Sequence, residues 1–352
     1  MRTVPIACLV VSQVVCVVSA AAALDYASQY LGVCTGYDES EALSINESGL
    51  VLCSAWTASD TSGVFLWSKM SGITGLTGEG VCAWAHVNNL GQTVGIYRDA
   101  AVGWFRPFVR DPDGSHTSLP APIGAADVWP ARINNSGIVG INVEYRDAGQ
   151  NLVGAEPMLV DHGALIELPD WANSIAAMSD GGLLVLASKR GAMPADLYLW
   201  NAAGVLQALA SPPGSRWTAV LDMNDAGYVV GFAEFPTGEW HALKWDLSGE
   251  LLDLGIGTAS GINALGQIVG SLGERAVMWD TDGSVVDLGL PDGATWACAG
   301  AINNRGEIAG AAVINGNQIA VLWEPVPEPS SLAALGFAIA GLAMAAAGRK
   351  RR

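Results

Sequence analysis

The chain has 352 residues, of which 51% are hydrophobic and 14% charged, and its formal net charge at pH 7 is −17. Residues 24–329 alone are more acidic, holding 12 basic against 34 acidic side chains, and such a surface repels phosphates and excludes a nucleic-acid partner. The apolar excess sits at the two ends, so the middle, with most of the 43 Gly and 13 Trp, is expected to be a β-rich globular body.

The N-terminal stretch Met1–Ala23 has the build of a secretory signal. Arg2 supplies the positive end, Ile6–Val18 the apolar run, and Ser19–Ala23 the small residues that signal peptidase requires. A membrane anchor is the alternative, but the run is short and Ser12 and Gln13 interrupt it.

A repeat follows. Ile302-Asn303-Asn304-Arg305-Gly306-Glu307-Ile308-Ala309-Gly310 is one copy of I-N-x-x-G-x-[IV]-V-G, with further copies at Ile45, Val87, Ile133, Met223 and Ile262 and a degraded one at Met178. The second positions are Asn46, Asn88, Asn134, Ser179, Asn224, Asn263 and Asn303, spaced by 42, 46, 45, 45, 39 and 40 residues. Seven units of this length, each with room for four short strands, predict a seven-bladed, all-β propeller over residues 24–325. Within a unit the Asn-x-x-Gly step is read as a tight turn, since Asn and Gly tolerate positive φ. A third strand ending in Trp follows in most units, then a Gly hairpin, then a fourth strand closing on Leu-Gly or Leu-Pro.

The last unit lacks that fourth strand. Tyr26–Val33 has its character, including a Leu31-Gly32 step, and precedes the first motif. The N-terminal strand is therefore expected to complete the last blade and close the ring, removing exposed edges.

Cys34, Cys53, Cys82 and Cys298 lie in the body. Four cysteines allow three pairings, and export permits disulfides, but buried thiols fit equally. No C-x-x-C, H-E-x-x-H, G-x-S-x-G or phosphate-loop pattern occurs, so no metal, cofactor or catalytic residue is expected. Asp111-Pro112-Asp113-Gly114 and Asp280-Thr281-Asp282-Gly283 are read as hairpin turns, not calcium loops.

Strand order puts the motif turns and Gly hairpins on one face, as scaffold. The longer links from fourth to first and second to third strands fall on the other, where binding is expected. The inter-blade links carry Trp84, Trp129, Trp171, Trp217 and Trp296, whose faces suit stacking on sugar rings. The competing reading wedges these rings between blades. The leading functional expectation is a non-enzymatic surface or matrix protein that binds polysaccharide; the alternative is a secreted polysaccharide lyase or glycoside hydrolase, marked by a carboxylate pair, or His with Tyr or Arg, around the central funnel.

The C-terminus has three parts in order. Pro327-Glu328-Pro329 precedes an apolar run, Ser330–Gly348, long enough as a helix to cross a bilayer, and Arg349-Lys350-Arg351-Arg352 ends the chain on the cytoplasmic side. Residues 326–352 resemble the PEP-CTERM sorting signal of Gram-negative bacteria. The resemblance implies recognition by an exosortase-type membrane enzyme, cleavage near Pro327, Glu328 and Pro329, and delivery from the inner membrane to the cell surface or extracellular matrix. The repeats resemble bacterial extracellular HAF repeats, named for a His-Ala-Phe step; His241-Ala242-Leu243 with Trp245 is the nearest copy.

Overall fold

The computed structural model describes residues 25–59, 62–76, 82–189 and 196–326, with the backbone alone for 82–85. The signal segment, the apolar tail and Pro327, Glu328 and Pro329 lie outside the described residues. Among the described residues all regular structure is strand, and no helix is long and apolar enough to cross a membrane.

The strands are numbered β1–β28 in chain order. β1 is Tyr26–Gly32. Blade 1 holds β2 (Glu39–Ile45), β3 (Val51–Trp56), β4 (Ser62–Ser68) and β5 (Gly72–Gly75). Blade 2 holds β6 (Cys82–Val87), β7 (Thr93–Arg98), β8 (Phe105–Arg110) and β9 (His116–Ser118). Blade 3 holds β10 (Val128–Ile133), β11 (Val139–Arg146), β12 (Leu152–Asp161) and β13 (Ala164–Glu167). Blade 4 holds β14 (Ala172–Met178), β15 (Leu184–Ser188), β16 (Leu197–Trp200) and β17 (Leu206–Leu209). Blade 5 holds β18 (Trp217–Met223), β19 (Val229–Glu234), β20 (Trp240–Trp245) and β21 (Leu251–Ile256). Blade 6 holds β22 (Thr258–Ile262), β23 (Ile268–Leu272), β24 (Arg275–Trp279) and β25 (Val285–Asp287). Blade 7 holds β26 (Ala294–Ile302), β27 (Ile308–Ile314) and β28 (Asn317–Pro325), with β1 as its fourth strand.

The seven sheets are four-stranded antiparallel meanders, and together they are a seven-bladed β-propeller. The ring closes as the sequence predicts: β1 pairs antiparallel with β28 in the register Tyr26↔Pro325 to Tyr30↔Val321. Buried Leu31 anchors the closing strand in the cluster that also holds Phe65, Trp67 and Leu322. The core lies between blades. Third-strand Trp67, Trp245, Trp279 and Trp323 are buried, and Trp200 is half-buried.

The last Gly of the motif has a steric reason. A Cβ at Gly231, Gly270 or Gly310 would stand 1.9, 1.8 or 2.1 Å from the carbonyl oxygen of Ala219, Thr258 or Cys298. Each carbonyl belongs to the first strand of the same blade, which is bulged beside the contact. Glycine is there for close approach, not for backbone freedom.

The motif turn does more than the sequence reading gave it. Within a blade, Gly306 takes the positive φ and Asn303 does not; Asn303 Oδ1 instead accepts from the backbone N–H of Arg305 and of Glu307, each at 3.0 Å, capping the turn. Its Nδ2 then donates to the next blade's motif carbonyl, Asn46 O, at 3.1 Å. The same bond runs from Asn46 to Asn88 O, Asn88 to Asn134 O, Asn224 to Asn263 O and Asn263 to Asn303 O, at 2.9–3.2 Å. The two remaining steps flank Ser179, where the motif lacks its Asn. Beside this inner ring runs a second, in which the next motif position links blades: Glu47 N–H to Asn89 Oδ1, Asn89 N–H to Asn135 Oδ1, Asn135 N–H to Asp180 Oδ1 and Ala264 N–H to Asn304 Oδ1.

Candidate functional site

Two places gather chemistry. The first is the central channel, lined by the first strands of the blades, with a cavity of about 670 Å³ reaching the motif turns. Arg132 of β10 crosses it. One guanidinium nitrogen meets Asp222 Oδ1 at 2.8 Å and Leu221 O at 2.9 Å in blade 5, and the other lies 3.3 Å from His86 Nε2 in blade 2. A guanidinium only donates, so Nε2 accepts and the imidazole is neutral. Burial first, and then the adjacent Arg132 charge, push the His86 pKa down to about 3. Asp222 is fully engaged as well: Oδ1 also takes the Met223 N–H and Oδ2 the Ile262 N–H of blade 6. The network ties blades 2, 3, 5 and 6 across the channel. Its His lone pair is occupied and its charge is paired, which suits a strut better than a general base.

Carboxylates collect at the motif-side mouth. Asp180 takes hydrogen bonds from both the backbone and the side chain of Asn135, yet burial, with Asp225 nearby, raises its pKa. Among the described residues no three His, Cys, Asp or Glu side chains converge to hold a metal ion. Cys34, Cys53 and Cys298 are free thiols, with burial pushing Cys53 well up and Cys298 to about 11. The side chain of Cys82 lies outside the described residues. The Asp-rich hairpins are turns: Asp113 and Asp282 accept first from the hydroxyls and then from the backbone N–H groups of Ser115 and Ser284, which lowers both pKa values.

The second place is the loop face of blade 5. Trp217 opens β18, Phe232 lies in β19 and Trp240 opens β20; the register places all three on one side of the sheet. Trp240 stacks on Phe232 with centroids 4.6 Å apart and planes 14° apart, and Trp217 meets the same ring edge-on at 5.1 Å. Phe232 is buried, whereas Trp240 is 43% exposed. Glu234 stands opposite both indoles in register, accepts the Trp217 Nε1–H at 2.5 Å and pairs with Arg216 at 3.4 Å. On the other side of the sheet His241 packs on Phe235 at 4.7 Å and meets Asp253 at 2.8 Å.

Of the Trp residues named from sequence, the four with described side chains lie in four different blades. Trp129 packs against Phe105 of the neighbouring blade at 5.1 Å, a wedge between blades 2 and 3. Trp171 sits edge-on to Tyr198 at 5.3 Å within blade 4. Trp296 is half-buried in β26. Trp217 belongs to the blade 5 stack. The backbone of Trp84 lies in β6, and its side chain is outside the described residues. Sequence reading passed over Phe232 and Trp240. The signal was present in Gly238-Glu239-Trp240, a large aromatic two residues after a hairpin glycine, in a place where the second unit also carries an aromatic, Phe105.

A closed ring of seven four-stranded sheets defines the protein as a β-propeller. Its fold is similar to the β-propeller domain of the Trilobed protease from Pyrococcus furiosus, described as having an open velcro topology, with a TM-score of 0.54 and 12% identity over 81% of this chain and 96% of that one. It is also similar to puromycin hydrolase, with a TM-score of 0.52 and 12% identity over 84% of this chain and 54% of that one, so it spans about half of that enzyme. These likenesses show the fold alone. No curated protein matches the chain in sequence. Residues 325–352 match the PEP-CTERM protein-sorting motif. The chain is thus an exported protein whose sorting motif is recognised by exosortase, a membrane enzyme, in Gram-negative bacteria.

Proposed function

We propose that this is a non-enzymatic surface or matrix propeller that binds polysaccharide on its loop face. In this reading signal peptidase removes residues 1–23, residues 24–325 form the body with repeats of the HAF type, and an exosortase-like enzyme cuts residues 326–352 near Pro327, Glu328 and Pro329. The observation that carries the binding role is the exposed Trp240 indole, held flat by the buried Phe232 beneath it. A rigid aromatic plane stacks on the apolar face of a pyranose, and the neighbouring Glu234 accepts hydroxyl hydrogen bonds. Among the five Trp residues named from sequence, Trp217 supports the site through its contacts with Phe232 and Glu234.

One observation favours the enzymatic alternative of a polysaccharide lyase or glycoside hydrolase: His86 and Arg132 do meet in the central funnel. The paired guanidinium and the depressed histidine pKa argue for a structural role there. A glycan array probed with residues 24–326 tests the proposal. Binding without release of shortened chains supports it; released oligosaccharide selects the enzyme, and no binding to any bacterial polysaccharide rejects the binding role.

A further inference from the structure

The place where the sorting tail leaves the body fixes which face it can turn to the membrane. β27 runs from the motif turn of blade 7 to the loop face, and β28 returns, so β28 ends on the motif side. The ring of Pro325 and the hydroxyl of Tyr26 both lie within 3.7 Å of a Cβ built on Gly306, the glycine of that motif turn. Lys69, in the motif-side hairpin of blade 1, pairs with Glu324. Val326, the last described residue, donates its N–H to Asp25 O at 2.8 Å. The two ends of the propeller therefore leave from one point, beside the motif turn Asn303–Gly306.

Only Pro327, Glu328 and Pro329 separate Val326 from the apolar run that begins at Ser330. Three residues reach about 10 Å even when fully extended, and the two prolines restrict how they bend. The seven residues of β27 alone span roughly 23 Å, so the loop face stands farther from the exit than the tether can reach. We propose that, while the tail is held in the membrane, the motif-turn face of the propeller is turned toward the bilayer and the loop face bearing Trp240 points away from it. The tether imposes this orientation and adsorption does not: Asp111, Asp113, Asp246, Asp280 and Asp282 sit in the motif-side hairpins, and carboxylates repel anionic headgroups. The inference depends on the sorting tail and is independent of any glycan.

Resonance energy transfer on the full-length chain tests it. The chain is reconstituted in phosphatidylethanolamine–phosphatidylglycerol vesicles with acceptor-labelled headgroups. A donor is placed, one at a time, on a click-reactive residue at Arg305 or Ser136 in the motif turns, or at Asn317 or Ala148 on the loop side, all of them exposed. Transfer is expected to be at least twofold greater from both motif positions than from both loop positions. A flexible insert of about 20 residues between Val326 and Pro327 is expected to abolish the difference. Equal or greater transfer from the loop positions overturns the inference. So does ordering by blade, with Arg305 matching Asn317 and Ser136 matching Ala148, which would mean the disc lies on its edge.

Discussion

The side-chain amide of Asn303 donates to the backbone carbonyl of Asn46 at 3.1 Å, joining the last blade to the first across 257 residues of chain. The motif that marks each repeat is therefore also the bond between repeats. Replacing Asn303 by Ala removes that donor, whose bond to Asn46 O is buried, and both half-buried acceptances inside the turn. Asn303→Ala is expected to lower the unfolding free energy by about 2 kcal/mol, read from denaturant midpoints at constant slope. Ser179→Asn, which restores the missing amide in blade 4, is expected to raise it or leave it unchanged. A larger loss from Ser179→Asn than from Asn303→Ala would contradict the ring as an inter-blade bond.

Two glycines separate steric approach from backbone freedom. Gly270 would place a Cβ 1.8 Å from Thr258 O, while Gly163 has φ +85° and nothing within 4 Å. Gly163→Ala is expected to cost about 1 kcal/mol through its left-handed backbone. Gly270→Ala must displace the bulged first strand of blade 6 and is expected to cost several times more, appearing as a lower thermal midpoint or as insoluble protein.

Ring closure rests on Leu31, the buried residue of the closing strand. Leu31→Asp places a carboxylate in that cluster and is expected to detach β1, exposing the edge of β28. Size-exclusion chromatography should then show association of the variant. A monomer of unchanged thermal midpoint would mean that closure contributes little.

Acid sensitivity follows from His86. Its folded pKa lies near 3, below the value of about 6.5 of an unfolded histidine, so the unfolded chain binds the proton first. The stability it contributes is complete above about pH 6.5 and falls as pH drops toward 3, with a slope approaching about 1.4 kcal/mol per pH unit. His86→Gln keeps an acceptor for Arg132 and is expected to flatten the profile between pH 6.5 and about 4.5. An unchanged profile would show that His86 is protonated in the folded protein.

What could be read from the sequence was whatever repeats locally. Six Asn-x-x-Gly turns, a seventh begun by Ser179, and Trp-ended strands count blades because each unit carries its own turn and core residues. Tyr26–Val33 could be placed because the last unit visibly lacks a strand. The second role of Asn46 or Asn303 was hidden, since their amide partners lie one blade away and appear only in the closed ring. His86, Arg132 and Asp222 meet across the channel from three different blades, with no spacing that announces them. Among the aromatic candidates, Trp129 packs on Phe105 of the neighbouring blade and Trp240 stacks on Phe232 of its own blade and stays exposed, a difference set by partners that lie on other strands.

The binding role stands on Trp240. Affinity electrophoresis of residues 24–326 through gels containing the extracellular polysaccharide of the producing bacterium compares the native protein with Trp240→Ala. The native protein is expected to be retarded, and the variant to lose at least tenfold in affinity, about 1.4 kcal/mol, at an unchanged thermal midpoint. Equal retardation of the two proteins would contradict the assignment of the Trp217–Phe232–Trp240 stack as the sugar-binding surface.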